Sequence, residues 1–277
     1  MKIDSHQHCW IYDAREYDWI DGSMSALRRD FLPSHLRPEL DRSGFDGSVL
    51  VQARQTLEET RWLLELADSS PMIRGVVGWV DLCSTAARSQ LAEFAKNPKL
   101  VGVRHVVQAE PDERFLLRED FLRGISLLEE FDLAYDILIY SRHLSVACEF
   151  VDRFPRQRFV LDHMAKPPIK SGEIEIWAQG IRRLASFPNV LCKLSGLVTE
   201  ADWQNWTPQQ VTPYLAVAFD SFGPERLMIG SDWPVCLVAA SYERAVGIVQ
   251  NYLDGFSPSI RKAVLGGNAQ RFYRLKT

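Results

Sequence analysis

Near its start the chain carries two histidines one residue apart, in Asp4-Ser5-His6-Gln7-His8. Side chains of an extended strand alternate with a period of two, so His6 and His8 project to one side and Ile3 to the other. Two neutral imidazoles on one side can hold a divalent ion, each through a ring nitrogen. Taken alone, the pair also suits two polar side chains that merely fill the end of a barrel. A second stretch, Leu227-Met228-Ile229-Gly230-Ser231-Asp232-Trp233-Pro234, ends an apolar run on a carboxylate whose plain alternative is to cap the next loop. A third, Val160-Leu161-Asp162-His163-Met164-Ala165-Lys166-Pro167, ends on another imidazole and a lysine. Three histidines and one acid at three strand ends form a constellation that packing alone rarely needs.

These residues must be held by elements that bring distant segments together. Eight short apolar runs recur at 1–9, 47–53, 73–82, 100–107, 133–140, 158–163, 189–195 and 226–232. Near-continuous apolar character suits parallel strands buried on both faces. Between them the period becomes helical. Thr56 and Glu59 read as a capping box ahead of Leu63, Leu66 and Ala67. Ala87, Leu91, Phe94 and Ala95 form a stripe that stops at Asn97-Pro98. Leu144, Ala147, Cys148 and Val151 follow a candidate cap at Ser141, and Ile174, Trp177, Ile181 and Leu184 repeat the spacing. Thr207-Pro208 has the form of an N-cap with a first-turn proline, and Tyr242, Ala245, Val246 and Val249 make the last stripe.

Eight strand–helix units fit an α/β chain folded as a (β/α)8 barrel, for which ~250 residues is usual. The expectation is therefore one barrel domain over residues 1–277. A doubly wound open sheet is the alternative, but no Gly-x-Gly-x-x-Gly follows the first strand. In a closed barrel strands one and eight are neighbours, which brings Asp232 beside His6 and His8. Chemistry in such barrels sits at the C-terminal strand ends.

Composition narrows the function classes. The 277 residues are 46% hydrophobic and 25% charged, with 32 Lys plus Arg against 36 Asp plus Glu and a formal charge of -4. A balance so near neutral argues against a nucleic-acid partner, which needs clustered cations. No window approaches the ~18 consecutive apolar residues of a membrane span, and the polar opening Met1-Lys2-Ile3-Asp4-Ser5-His6 is unlike a secretory leader. Five scattered cysteines without a Cys-x-x-Cys pair form neither a disulfide framework nor a thiolate cluster, and point to the reducing cytoplasm. No long apolar stripe marks a partner surface, so the sequence sets no oligomeric state.

Arg54, Arg104, His105 and Lys166 fall at the ends of strands two, four and six. Donors there would grip substrate hydroxyls and an ester oxygen as charge develops on it, or serve as ion-pair partners of the fold. Trp10 and Trp233 directly follow the strand ends that carry the histidine pair and the acid. Trp10 is the candidate face for a sugar ring, with local packing as its alternative. Trp62 and Trp177 lie on helical stripes and belong to the core. Lys193 lies within a strand, where an unpaired ammonium is costly, and is expected to pair with an acid near the barrel mouth. Cys9 should face away from His8.

The stretches Asp4-Ser5-His6-Gln7-His8, Leu161-Asp162-His163-Met164-Ala165-Lys166-Pro167, Gly230-Ser231-Asp232-Trp233-Pro234 and Gly266-Gly267-Asn268-Ala269 resemble the amidohydrolase superfamily. With Gln52-Ala53-Arg54 and Val101-Gly102-Val103-Arg104-His105, the likeness is greatest to its sugar-lactone hydrolases. The superfamily's two-metal members use a carboxylated lysine on strand four and a histidine on strand five. Here strand four offers Arg104 and His105, and strand five has no histidine. The resemblance therefore implies one divalent ion, zinc for imidazole and carboxylate ligands, held by His6, His8 and Asp232 with His163 as ligand or neighbour. Relatives that work without metal keep a metal-free site as the alternative.

The activity that the resemblance implies is hydrolysis of a sugar lactone of the L-fuconolactone type. Asp232 would act as general base then acid, and His163 or His105 would support the oxyanion. A metal-dependent decarboxylase of the same superfamily and a non-catalytic binder of a sugar acid are the alternatives. The binder leaves Asp232 without a role.

Overall fold

The computed structural model describes residues 1–276, and each of the eight apolar runs contains a strand. The strands are β1 (Ile3–Gln7), β2 (Gly47–Val51), β3 (Ile73–Gly78), β4 (Leu100–His105), β5 (Ala134–Ile137), β6 (Phe159–Leu161), β7 (Val190–Leu194) and β8 (Leu227–Ile229). All seven ladders are parallel and join the strands in chain order. A helix follows every strand: α1 (Pro33–Ser43), α2 (Leu57–Ser69), α3 (Ala87–Phe94), α4 (Glu119–Ile125), α5 (Leu144–Asp152), α6 (Ile174–Ala185), α7 (Pro208–Phe222) and α8 (Tyr242–Tyr252). Two short helices, α9 (Pro258–Lys262) and α10 (Asn268–Tyr273), come last. The fold is a (β/α)8 barrel.

Alternation along the strands separates two cores. Val49, Val51, Val77, Val101, Ala134, Val160 and Met228 cluster inside the barrel with Ala269, Phe272 and Tyr273 of α10, which plugs one end. Their strand neighbours Leu50, Val76, Tyr135, Phe159, Leu161, Cys192 and Ile229 pack outward in the larger cluster with the helices. Ile3 belongs to the interior cluster, against the expectation that it faces away from His6. The register slips between Asp4 and Gln7. A bulge of this kind inserts a residue and resets the alternation, so both Ile3 and the histidines point inward.

Two helix starts also differ from expectation. Thr56 Oγ1 does accept from the Glu59 amide at 3.1 Å. The Glu59 carboxylate, however, turns away from Thr56 to accept from the amides of Ala53 and Arg54 at 3.0 and 2.7 Å. Ser141 opens a short 3-10 turn without a side-chain cap, and His143 Nδ1 accepts from the Tyr140 amide instead. Trp177 is buried as expected, whereas Trp62 is only half-buried.

Strands β1 and β8 close the barrel with few backbone bonds, so a side chain completes the seam. Asp4 is fully buried. It accepts from the Ser231 amide at 2.9 Å, Ser231 Oγ at 2.6 Å, Tyr242 Oη at 3.0 Å and the His6 amide at 3.2 Å. Asp4→Ala strands these buried donors, each lost partner costing ~1–3 kcal/mol. The expected loss is ~3 kcal/mol on the same basis, read as a lower urea midpoint at unchanged slope. A midpoint that stays where the parent's lies would show the seam to be held by the backbone alone.

Candidate active site

The strand ends gather four donor atoms around one point at the barrel mouth. His6 Nε2 and His8 Nε2 are 3.2 Å apart, and Asp232 Oδ1 lies 3.4 Å from His8 Nε2 and 3.9 Å from His6 Nε2. His163 Nε2 is 3.8 Å from the same carboxylate oxygen. For ligands ~2.0–2.1 Å from a tetrahedral zinc, edges of roughly 3.3 Å are required. His6, His8 and Asp232 thus fit a divalent ion in both chemistry and spacing. The His8 ring is set for that role. Its Nδ1 donates to the Val51 carbonyl at 2.8 Å, leaving the Nε2 lone pair facing the cluster.

Backbone strain aims two of these groups. His163, Met164, Ala165 and Lys166 all have positive φ, between 50° and 56°, and Asp232 has φ 57°. A left-handed L-residue costs roughly 1–2 kcal/mol, so the run after β6 needs support. Trp177 Nε1 donates to the Met164 carbonyl at 2.8 Å, and the Lys166 amide returns to the His163 carbonyl at 2.8 Å. Ser195 Oγ sits 2.9 Å from His163 Nδ1. Gly196, at φ 64°, lies against the same ring, where a Cβ would meet Nδ1 at 2.7 Å.

Beneath the imidazoles lies a layer of buried charge. Lys193 Nζ is 2.5 Å from Asp136 Oδ2, 3.0 Å from Asp162 Oδ1 and 3.1 Å from His6 Nδ1. The expected acid partner of Lys193 is therefore a pair of acids. Arg104 donates from Nη1 to Asp162 at 3.0 Å, and the same nitrogen lies 3.2 Å from His6 Nε2. Its Nη2 and Nε donate to the carbonyl and side-chain oxygens of Gln52. A guanidinium has five N–H donors; four go to Asp162 and Gln52, and the fifth points at His6 Nε2. Arg104, expected to grip substrate, is buried and turned to Asp162, Gln52 and His6, which it braces.

The remaining candidates spread outward. On β4, Arg104 points inward and His105 outward, because adjacent residues of a strand face opposite sides. His105 stacks on Phe115 and bonds Glu110 Oε1 at 2.6 Å, away from the cluster. Trp10 is fully buried among Tyr17, Trp19 and Phe31, with its N–H given to the Arg29 carbonyl at 2.9 Å. It offers no face to a sugar, and the packing alternative holds. Arg54 pairs with Glu16 and lies over the Tyr17 ring at the rim. Lys166 also lies at the rim, 3.8 Å from Glu200 and 5.2 Å from the Tyr140 ring centroid.

Sequence reasoning does not single out Asp136, Asp162, Gln52, Ser195 or Glu200. The available signal is an ionisable residue inside an apolar run, which Asp136 and Asp162 share with Lys193.

Burial sets the protonation of the site. It depresses His163 to about 4, against the pull of Asp232, and it holds His6 well below the ordinary histidine range. Burial would raise Asp232, but His163, His8 and His6 prevail and keep the carboxyl well below its usual value. For Asp162 too, burial works upward, and Lys193 and His6 overcome it. At neutral pH the rings of His6 and His163 are therefore uncharged beside an ionised Asp232.

Residues 3–275 match the family model described as amidohydrolase. The chain is 42% identical to an L-fucono-1,5-lactonase of Burkholderia multivorans over 286 residues, covering 99% of this chain and 96% of that protein. It is 41% identical to one from Burkholderia ambifaria, again over 99% and 96% of the two chains. A crystal structure of a Burkholderia multivorans amidohydrolase with bound zinc superposes with a TM-score of 0.96 at 42% identity, covering 100% of both chains.

Glu59, which holds the loop bearing Arg54, gives a test in pH. Burial raises it from 4.5 to about 7, despite bonds from Arg54 and Ala53. The folded state then binds the proton more tightly than the unfolded chain, so Glu59 makes stability fall as pH rises through this window. The slope approaches ~1.4 kcal/mol per pH unit for one group. Glu59→Gln should remove that component, so that urea midpoints of variant and parent converge at low pH and diverge toward neutrality in favour of the variant. Parallel profiles would show that Glu59 is ionised throughout.

Proposed function

The chain belongs to the amidohydrolase family, and from that membership we propose that it hydrolyses a sugar-acid lactone, an L-fuconolactone-like aldonolactone, to the open-chain aldonic acid. The observation that carries this reading is the ionised Asp232 carboxylate ringed by the imidazoles of His6, His8 and His163 at the barrel mouth. The full-length likeness to two L-fucono-1,5-lactonases supports the substrate class.

Ester opening needs a base for water, a donor for the leaving ring oxygen and stabilisation of the oxyanion. Asp232, held ionised, takes the proton from water and returns it to the departing oxygen. His163 is fixed through Nδ1 by Ser195, whose hydroxyl can donate or accept. Its Nε2 therefore faces the reacting atoms, as a donor to the oxyanion or as a ligand. One divalent ion, which we assign as zinc, would be held by His6, His8 and Asp232, with His163 beside them. When bound, it lowers the pKa of water and polarises the carbonyl. Lys166 and Arg54 at the rim orient substrate hydroxyls. A role in L-fucose degradation and a cytoplasmic setting go with this substrate and with five free cysteines. Among the described residues no helix is long and apolar enough to cross a membrane.

Stereoisomeric aldonolactones of both ring sizes, assayed with and without a chelator, should show lactone opening that falls when the ion is removed. Carbon dioxide release from aromatic acids in place of lactone opening would establish the decarboxylase instead. Asp232→Asn should lower kcat by ~100- to 10,000-fold, the usual contribution of a general base. Lys166→Ala or Arg54→Ala should raise KM more than it lowers kcat. A folded Asp232→Asn protein with near-normal turnover would make the acid structural.

A further inference from the structure

The charged layer inside the barrel has a geometry of its own. Lys193, Asp136, Asp162 and His6 are all fully buried. The ammonium lies 2.5, 3.0 and 3.1 Å from Asp136 Oδ2, Asp162 Oδ1 and His6 Nδ1. It thus sits at the centre of two carboxylates and an imidazole, a donor set that also suits a divalent transition-metal ion. Asp136 Oδ1 is buried without a hydrogen-bond partner, so the cradle holds more acceptor capacity than one lysine fills. This point lies on the Nδ1 side of His6, whereas His8 meets its Nε2 side, so with ions in both positions the ring would bridge them as an imidazolate, its N–H proton released to solvent. The point adjoins the cluster at the mouth and shares the His6 ring with it.

We propose that Asp136, Asp162 and the Nδ1 face of His6 form a second cation position within the barrel, filled here by the tethered ammonium of Lys193. The lysine is what limits the barrel to a single exchangeable divalent ion. That count of one rests on the metal-bound lactonase proposed above, whereas the cradle stands without it.

Three contacts support the assignment. Two fully buried carboxylates so close together require a resident positive charge, because each unpaired ion in the interior costs several kcal/mol. Arg104 reaches Asp162 from the other side at 3.0 Å and points its remaining donors at His6 and Gln52, leaving Asp136 to Lys193. Tyr273 Oη donates to Asp136 Oδ2 at 2.7 Å, fixing that oxygen toward the ammonium from below.

The test compares variants with the parent rather than relying on the parent's own metal content. Full-length parent, Lys193→Ala and Lys193→Ala/Asp136→Asn are equilibrated with manganese(II), freed of excess and analysed for metal. Lys193→Ala should hold one more ion per chain than the parent, and its Tm should rise with manganese concentration. The double variant should return to the parent's count, because it lacks a carboxylate of the cradle. If Lys193→Ala folds only when manganese is present, the ion is replacing the ammonium as proposed. A folded Lys193→Ala with the parent's count overturns the proposal, as does an extra ion that survives Asp136→Asn. Failure to fold with and without manganese also overturns it. A parent without metal would refute the single-ion lactonase while leaving the difference between parent and variant intact.

Discussion

Two carboxylates and two cations share the interior of this barrel, all four buried away from bulk water. Asp136 and Asp162 must be matched by Lys193 and Arg104, since each ion left alone would cost several kcal/mol. Breaking one partner is therefore far worse than never having built the set. His6 is caught between these charges, with Lys193 and Asp162 at Nδ1 and Arg104 at Nε2. Its orientation is a result of charge balance below as much as of the cluster above. Arg104 illustrates the constraint well: each of its donors points at Asp162, Gln52 or His6.

Strain is concentrated where the site faces outward. Asp232 and the four residues from His163 adopt left-handed backbones that ordinary side chains avoid. The cost is met by packing, since Met164 and Ala165 are fully buried and Trp177 ties the run to α6. A loop free to relax would carry its histidine away from Asp232. Rigid burial on one side keeps a strained geometry on the other.

Much of this architecture is legible in the sequence. The eight apolar runs each contain a strand, because parallel strands buried on both faces leave a strong local signature. His6, His8, His163 and Asp232 stand together because strand ends in a closed barrel converge on one mouth. Phase and partner choice lie beyond local pattern. The bulge in β1 moves Ile3 inside, and no propensity announces a one-residue slip. His105 follows Arg104 directly, and alternation alone is enough to separate an inward residue from an outward one. Trp10 looks available beside the histidines, yet its fate depends on Tyr17 and Phe31 closing over it from a distant part of the loop. Glu59 matches a local capping pattern but is claimed by amides five and six residues earlier.

The hydroxyl of Tyr273 reaches Asp136 across 137 residues of chain. α10 contributes this bond from the plug at the foot of the barrel, after all eight strands have been laid down. During synthesis the emerging barrel would hold Asp136 without its phenol partner and the lower apolar cluster without Phe272. The charged interior is consequently complete only once α10 has joined it. A nascent chain can assemble its sheet well before it can finish the floor on which the histidines rest.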